Sequence, residues 1–232
     1  MKVIVTRPQI DAAALAAKLK ALGHISVIAP ILDIVPRLDV VIPPIAFQAI
    51  CLSSANGLRC LTVELDPNIP VYAIGEQSAS DAQARGFQFV AAEGGDVHGL
   101  VRHIAAKLKP TEGPLLYLSG AETSGDLEGQ LTKLGYAVTR VATYDARACP
   151  LDQYATAIQS TDGVLLYSAR TAKLWLGEME RLNLVKAAER LRYFCLSAQV
   201  AKALPQNWHK SVAKSPTERS LLALLDLPDE AE

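Results

Sequence analysis

An apolar run that ends in small polar residues and leads into an Ala/Leu-rich segment recurs along this chain, at both short and long range. Leu52-Ser53-Ser54-Ala55-Asn56-Gly57-Leu58 is echoed by Tyr167-Ser168-Ala169-Arg170-Thr171-Ala172. Ala73-Ile74-Gly75-Glu76-Gln77-Ser78-Ala79 is echoed by Cys195-Leu196-Ser197-Ala198-Gln199-Val200-Ala201, and Leu15…Leu19…Leu22-Gly23-His24 by Leu127…Leu131…Leu134-Gly135-Tyr136. Strand–turn–helix units of this kind build α/β domains, whose strand ends and helix N-termini accept anions. A duplicated set predicts two similar parallel-sheet domains with a ligand held between them.

The strands are continuous apolar runs, as in Ile50-Cys51-Leu52 and Val164-Leu165-Leu166. Runs without alternation fit a sheet covered on both faces. Further strands are predicted at Val3–Val5, Ile25–Ile34, Val71–Ile74, Phe87–Ala91, Leu115–Leu118, Val138–Tyr144, Tyr193–Leu196 and Val212-Ala213. Helices alternate with them: Ala12–Leu22 stopped by Gly23, Ser78–Arg85 stopped by Gly86, one capped by Gly94-Gly95-Asp96, and Thr217–Leu225. The pieces run as a short unit, a longer unit, then both again. That order fits a plain tandem of two domains and also a crossed arrangement joining the outer pieces, and the repetition does not choose between them.

With 23 Lys+Arg against 24 Asp+Glu, the net charge is −1, which leaves no electrostatic footprint for nucleic acid or an anionic membrane. No apolar stretch approaches the ~18 residues of a spanning helix, and the opening MKVIVTRP lacks the apolar core of a signal peptide. The four cysteines have neither CxxC nor zinc spacing, and Cys51 and Cys195 read as buried thiols, so a reduced, cytoplasmic protein is expected. His98 and His103 lack any nearby partner pattern for a metal, and His24 and His209 read as surface or turn residues. Gly120…Gly125 has P-loop spacing but continues Asp126-Leu127 rather than Lys-Ser/Thr.

The ordered set Val5-Thr6-Arg7-Pro8, Leu52–Gly57, Ala73–Ala79, Gly95-Asp96-Val97-His98-Gly99-Leu100-Val101, Leu115-Leu116-Tyr117-Leu118-Ser119-Gly120 and Ala142–Ala146 resembles the uroporphyrinogen-III synthase family over essentially the whole chain. No single motif is specific; the order is. The resemblance implies two flavodoxin-like or Rossmann-like domains joined by a two-strand hinge, with residues 1–35 plus 150–232 in one and 38–147 in the other. The connectors would lie at Val35-Pro36-Arg37 and Arg147-Ala148-Cys149-Pro150. It implies a monomeric cyclising lyase of tetrapyrrole biosynthesis that closes hydroxymethylbilane with inversion of the last ring and loss of water. It implies no metal or organic cofactor and, as a transient partner, hydroxymethylbilane synthase. A two-domain clamp that binds a small anion without chemistry is the competing reading. A response-regulator-like domain is disfavoured, because the first strand ends in Thr6-Arg7 rather than an acidic cluster.

A polycarboxylate substrate on a neutral protein points to backbone N–H groups and short side chains at helix starts. Ser53, Ser54, Gly75, Ser78, Ser119, Gly120, Ser168 and Ser197 supply these, although serines in such positions also serve simply as caps. The resemblance assigns Tyr144 to the catalytic tyrosine at the end of the strand leading back to the first domain. A phenol, with a pKa of ~10, is suited to hydrogen-bonding a departing oxygen; the plainer reading is an aromatic packed on the connector. Ser78 matches a substrate-contacting Thr/Ser. Arg7 is either a carboxylate ligand or a solvated turn arginine. Arg170 occupies the position of Asn56 in the repeat and adds positive charge. Where the family usually carries Gly-Pro-Thr-Thr, this chain has Ser197-Ala198-Gln199-Val200, in which Gln199 replaces one hydrogen bond and Val200 none.

Overall fold

The computed structural model describes residues 1–92, 96–123 and 125–226. It divides into two compact units, Met1–Asp33 with Arg147–Glu232, and Ile34–Ala146. Both are α/β units built on mainly parallel sheets.

The first unit carries β1 (Lys2–Val5), β2 (Ile25–Ile28), β9 (Gly163–Leu166), β10 (Arg192–Cys195) and β11 (His209–Val212) in the order β11-β10-β9-β1-β2, all pairs parallel. Numbered within the unit this is 2-1-3-4-5, the flavodoxin order. Helix α1 (Gln9–Ala21) buries Ala12, Leu15 and Leu19, one stripe at helical spacing, against Val3, Val5, Leu165 and Phe194. Gly23, at φ +79, ends α1: its N–H reaches the Lys20 carbonyl and that of His24 the Leu19 carbonyl, a paired closure that needs the left-handed residue. Helix α7 (Ala169–Arg181) begins at a capping box in which the Ser168 hydroxyl accepts from the Thr171 N–H and Thr171 Oγ1 from the Ser168 N–H.

The predicted strand Ile25–Ile34 is instead two strands. β2 stops at Ile28, although the Ala29 and Ile31 N–H groups still reach the Val5 and Thr6 carbonyls, and β3 (Leu32–Pro36) joins the other sheet. The last strand lies at His209–Val212 rather than Val212-Ala213, and helix α10 (Glu218–Leu222) is shorter than predicted. His24 is not a plain surface residue: its Nδ1 lies 3.2 Å from the chain's amino terminus and its Nε2 is buried without a hydrogen bond, 3.8 Å from Asp226.

The second unit adds β4 (Ala49–Leu52), β5 (Val71–Ala73), β6 (Val90–Ala92), β7 (Leu115–Gly120) and β8 (Val138–Ala148) in the order β3-β8-β7-β4-β5-β6. Setting aside β3 at the edge, the order is 3-2-1-4-5 read from the other end of the sheet, reversed about β4 as in the Rossmann arrangement. Alternate residues of the central strands feed opposite cores. Ile50, Leu52, Leu116 and Leu118 pack on one face, and Ala49, Cys51, Leu115 and Tyr117 on the other. Helices cover both faces, which is why the strands read as unbroken apolar runs. Asp96 caps α4 (Val97–Lys107) by accepting from the Gly99 N–H; Gly94 and Gly95 lie outside the described residues.

Two predictions arise from this packing. Burial pushes the Cys51 and Cys195 thiols up to about 12 and also raises Cys60, and all three side chains are buried. Thiol titration of the native protein is expected to modify Cys149 first, with the other three reacting only after unfolding; rapid native labelling of Cys195 would contradict the packing. Arg181 bonds Glu178 and Asp152 and holds both carboxyls below their usual range, while Glu178 also accepts from the Leu151 N–H. A depressed carboxyl stabilises the fold above its unfolded pKa and loses that contribution as pH falls through the folded value. In urea melts the deficit of Arg181→Met should therefore be full near pH ~7 and shrink as pH falls below ~4; a deficit unchanged across that range would contradict the linkage.

Candidate functional site

In open α/β sheets ligands gather outside the carboxyl ends of the strands, where the strand order reverses. In the second unit that point lies between β4 and β7, and it collects much of the predicted set. Ser53 follows β4, and its Oγ is 2.8 Å from the Tyr117 hydroxyl. Burial raises the Tyr117 phenol, while the Ser53 hydrogen bond and the Arg140 charge pull it back. Ser54 caps α2 (Ala55–Arg59) by accepting from the Asn56 N–H at 3.3 Å, and Asn56 itself is buried.

Ser119 and Gly120 end β7. Ser119 donates to the Gly120 carbonyl at 3.0 Å and accepts from Arg140 Nε at 2.9 Å. Gly120 is paired with Tyr144 of β8, and the missing side chain matters: a Cβ there would lie 2.8 Å from Tyr144 Cζ and 2.9 Å from Cε2. The tyrosine ring therefore rests directly on the glycine backbone, and the Ala121 N–H closes the corner on the Tyr144 carbonyl at 2.9 Å. One strand further out, Gly75 precedes α3 (Glu76–Ala84) and offers no side-chain cap, so the first-turn N–H groups have no side-chain acceptor from it. Ser78, in that first turn, is buried.

In the first unit the reversal lies between β1 and β9. Here Arg7 is neither a solvated turn residue nor an open cation. Its guanidinium donates to Asp11 at 2.9 Å and Glu218 at 3.0 Å and stacks 4.8 Å from the Tyr167 ring centroid, while Lys18 holds the other Glu218 oxygen. The charges compensate one another within the fold. Ser168 caps α7, its hydroxyl accepting from the Thr171 N–H in the capping box, with Arg170 beside it in the first turn. Ser197 precedes α9 (Ala198–Lys202) without making a cap bond; Gln199 is exposed, and Val200 is core, at 2% exposure. The valine in the departing motif is thus a packing residue. Serine, asparagine, arginine and tyrosine donors suit an anionic, oxygen-rich ligand; among the described residues no group of three His, Cys, Asp or Glu could hold a metal ion.

Two contributors escaped the sequence reading. Tyr117 was visible only as part of an apolar run. Arg140 sits opposite Tyr117 in the β7–β8 register, which no local pattern reveals.

A family model described as uroporphyrinogen-III synthase HemD matches residues 13–223. The fold is similar to that of uroporphyrinogen-III synthetase from Helicobacter pylori, with a TM-score of 0.65, 18% identity and 97% of each chain covered. It is also similar to a mutant uroporphyrinogen III synthase from Thermus thermophilus, with a TM-score of 0.57, 17% identity, and 97% of this chain and 96% of that one covered. No curated protein sequence matches. Among the described residues no helix is long and apolar enough to cross a membrane.

Proposed function

The chain belongs to the uroporphyrinogen-III synthase family, and we propose that it closes the linear tetrapyrrole hydroxymethylbilane into uroporphyrinogen III, inverting the last ring and releasing water. The observation that carries this reading is the family match over residues 13–223.

The reaction breaks the C–O bond of the hydroxymethyl group and joins its carbon to the last pyrrole; for that ring to invert, the bond between it and its existing methylene bridge also breaks and re-forms at the ring's other α-carbon, which gives up its proton. The electron-rich pyrrole expels the hydroxyl readily once the chain is folded into a ring, so the protein's main tasks are holding that conformation and easing the departure of oxygen. Substrate carboxylates accept hydrogen bonds from the N–H groups at the start of α3 and from the hydroxyls of Ser53, Ser54 and Ser78. Ser168, Arg170, Ser197 and Gln199 take the same role at the carboxyl edge of the other sheet. Tyr144 donates to the leaving oxygen, its ring fixed by Gly120. Arg7, neutralised by Asp11 and Glu218, shapes its own edge and contributes little net charge. The protein acts as a monomer in the cytoplasm and receives its substrate from hydroxymethylbilane synthase.

The test is the rate at which hydroxymethylbilane disappears with and without the purified protein. Catalysed loss supports a synthase; binding of the bilane with the spontaneous rate unchanged would identify a clamp without chemistry.

A further inference from the structure

Arg140 is bonded unlike Arg7 and Arg59. Its Nε donates to Ser119 Oγ at 2.9 Å, and its Nη2 to the Gly120 and Ala121 carbonyls at 2.9 and 2.7 Å. These acceptors are neutral. A guanidinium carries five N–H donors in a fixed fork, so the two on Nη1 remain, and among the described residues no carboxylate pairs with the charge. Arg7, by contrast, is held by two acids, and Arg59 by Asp81.

The guanidinium borders a cavity of about 360 Å³ lined by Arg37, Ala121, Glu128, Arg140 and Ala142. Arg37 brings a second cation, tied among the described residues by long contacts of 3.9 Å to Asp39 and 4.0 Å to Asp145. Its backbone N–H is fixed on the Thr143 carbonyl, next to Tyr144. Glu128 is the acid lining the space among the described residues. Two guanidiniums and one carboxylate line the cavity, with Asp39 and Asp145 3.9 and 4.0 Å from Arg37, and it adjoins Gly120-Ala121, at the carboxyl end of β7. Planar forks suit carboxylates because two N–H bonds meet both oxygens.

We propose that Arg140 and Arg37 form a carboxylate-binding subsite that receives one acidic side chain of the linear tetrapyrrole. The assignment rests on the function proposed above and names residues it did not use. Arg140 joins this subsite to the chemistry, because the same side chain holds the two carbonyls of the turn on which Tyr144 packs.

The test measures binding of uroporphyrin III, a stable macrocyclic polycarboxylate, by fluorescence anisotropy at low salt, alongside hydroxymethylbilane turnover. Arg37→Gln lies outside the turn network and should weaken binding about fivefold. Arg140→Lys, which keeps charge but loses the fork, should weaken it about threefold, and Glu128→Gln should tighten it about twofold. The opposite sign of the Glu128 change separates a charge-lined subsite from a merely structural role. If wild type binds and turns over substrate while Arg37→Gln and Glu128→Gln leave affinity unchanged, the subsite is overturned and the proposed function stands. Shifted affinities without wild-type turnover would support a polycarboxylate subsite and sink the synthase reading. No binding by wild type would overturn the subsite.

Discussion

Gly57→Ala is expected to destabilise the protein by about 2 kcal/mol, the opposite of the usual outcome. An alanine in place of a helical glycine ordinarily gains about 1 kcal/mol. At Gly57 the added Cβ would lie 2.5 Å from the Leu118 carbonyl oxygen and 3.0 Å from its carbon. Those are backbone atoms of β7, paired on one side with β4 and on the other with β8, and they cannot retreat without disturbing both ladders. Overpacking of this kind costs about 1–3 kcal/mol, and a rigid neighbour argues for the upper end, about 3 before the helical gain is subtracted. The Thr143 hydroxyl, which donates to the Gly57 carbonyl at 2.7 Å, would be strained in the same movement. Urea denaturation with an unchanged m-value checks it. A variant as stable as wild type, or more so, would contradict the close packing of α2 on β7.

Tyr144→Phe is expected to slow formation of the inverted product tenfold or more, chiefly in kcat. One hydrogen bond to a charged or departing group is worth roughly 1.5–3 kcal/mol, and about 1.4 kcal/mol is a factor of ten in rate. The side chain is 8% exposed, so the lost oxygen should lower stability by only about 1 kcal/mol. Gly120→Ala offers an independent route to the same point, since its Cβ would collide with the ring rather than remove the hydroxyl. It too should depress kcat, and the loss should shrink when measured in a Tyr144→Ala background. Wild-type turnover by the phenylalanine variant would remove Tyr144 from the chemistry and leave catalysis to substrate shape alone.

Much of the local architecture could be read along the chain. Apolar runs ending in Ser, Gly or Asn marked the ends of β4, β5, β7, β9 and β10, because a parallel strand buried on both faces must be apolar throughout and must then change character where a helix starts. The features missed depend on partners remote in sequence. Glu218, which neutralises Arg7, is 211 residues away. The repeat suggested two like domains, yet one sheet follows the 2-1-3-4-5 order and the other 3-2-1-4-5 about its core strands, a difference carried by pairing rather than by any strand's own residues. Gly57 stood in a quoted motif, but the reason only glycine fits is the Leu118 backbone opposite. Arg140 had no local signal at all. The division of the predicted Ile25–Ile34 strand likewise follows from which sheet each half joins, β2 pairing with β1 and β3 entering the other sheet.

The isomer formed distinguishes catalysed from spontaneous closure. Closure of the bilane without inversion keeps all four rings in the same substituent order, and inversion of the last ring breaks that order, so the two routes leave distinguishable products. Hydroxymethylbilane incubated with the purified protein, oxidised to porphyrins and resolved by chromatography should yield predominantly isomer III, in proportion to the protein added. Isomer I alone, formed at the rate of the protein-free control, would contradict the account.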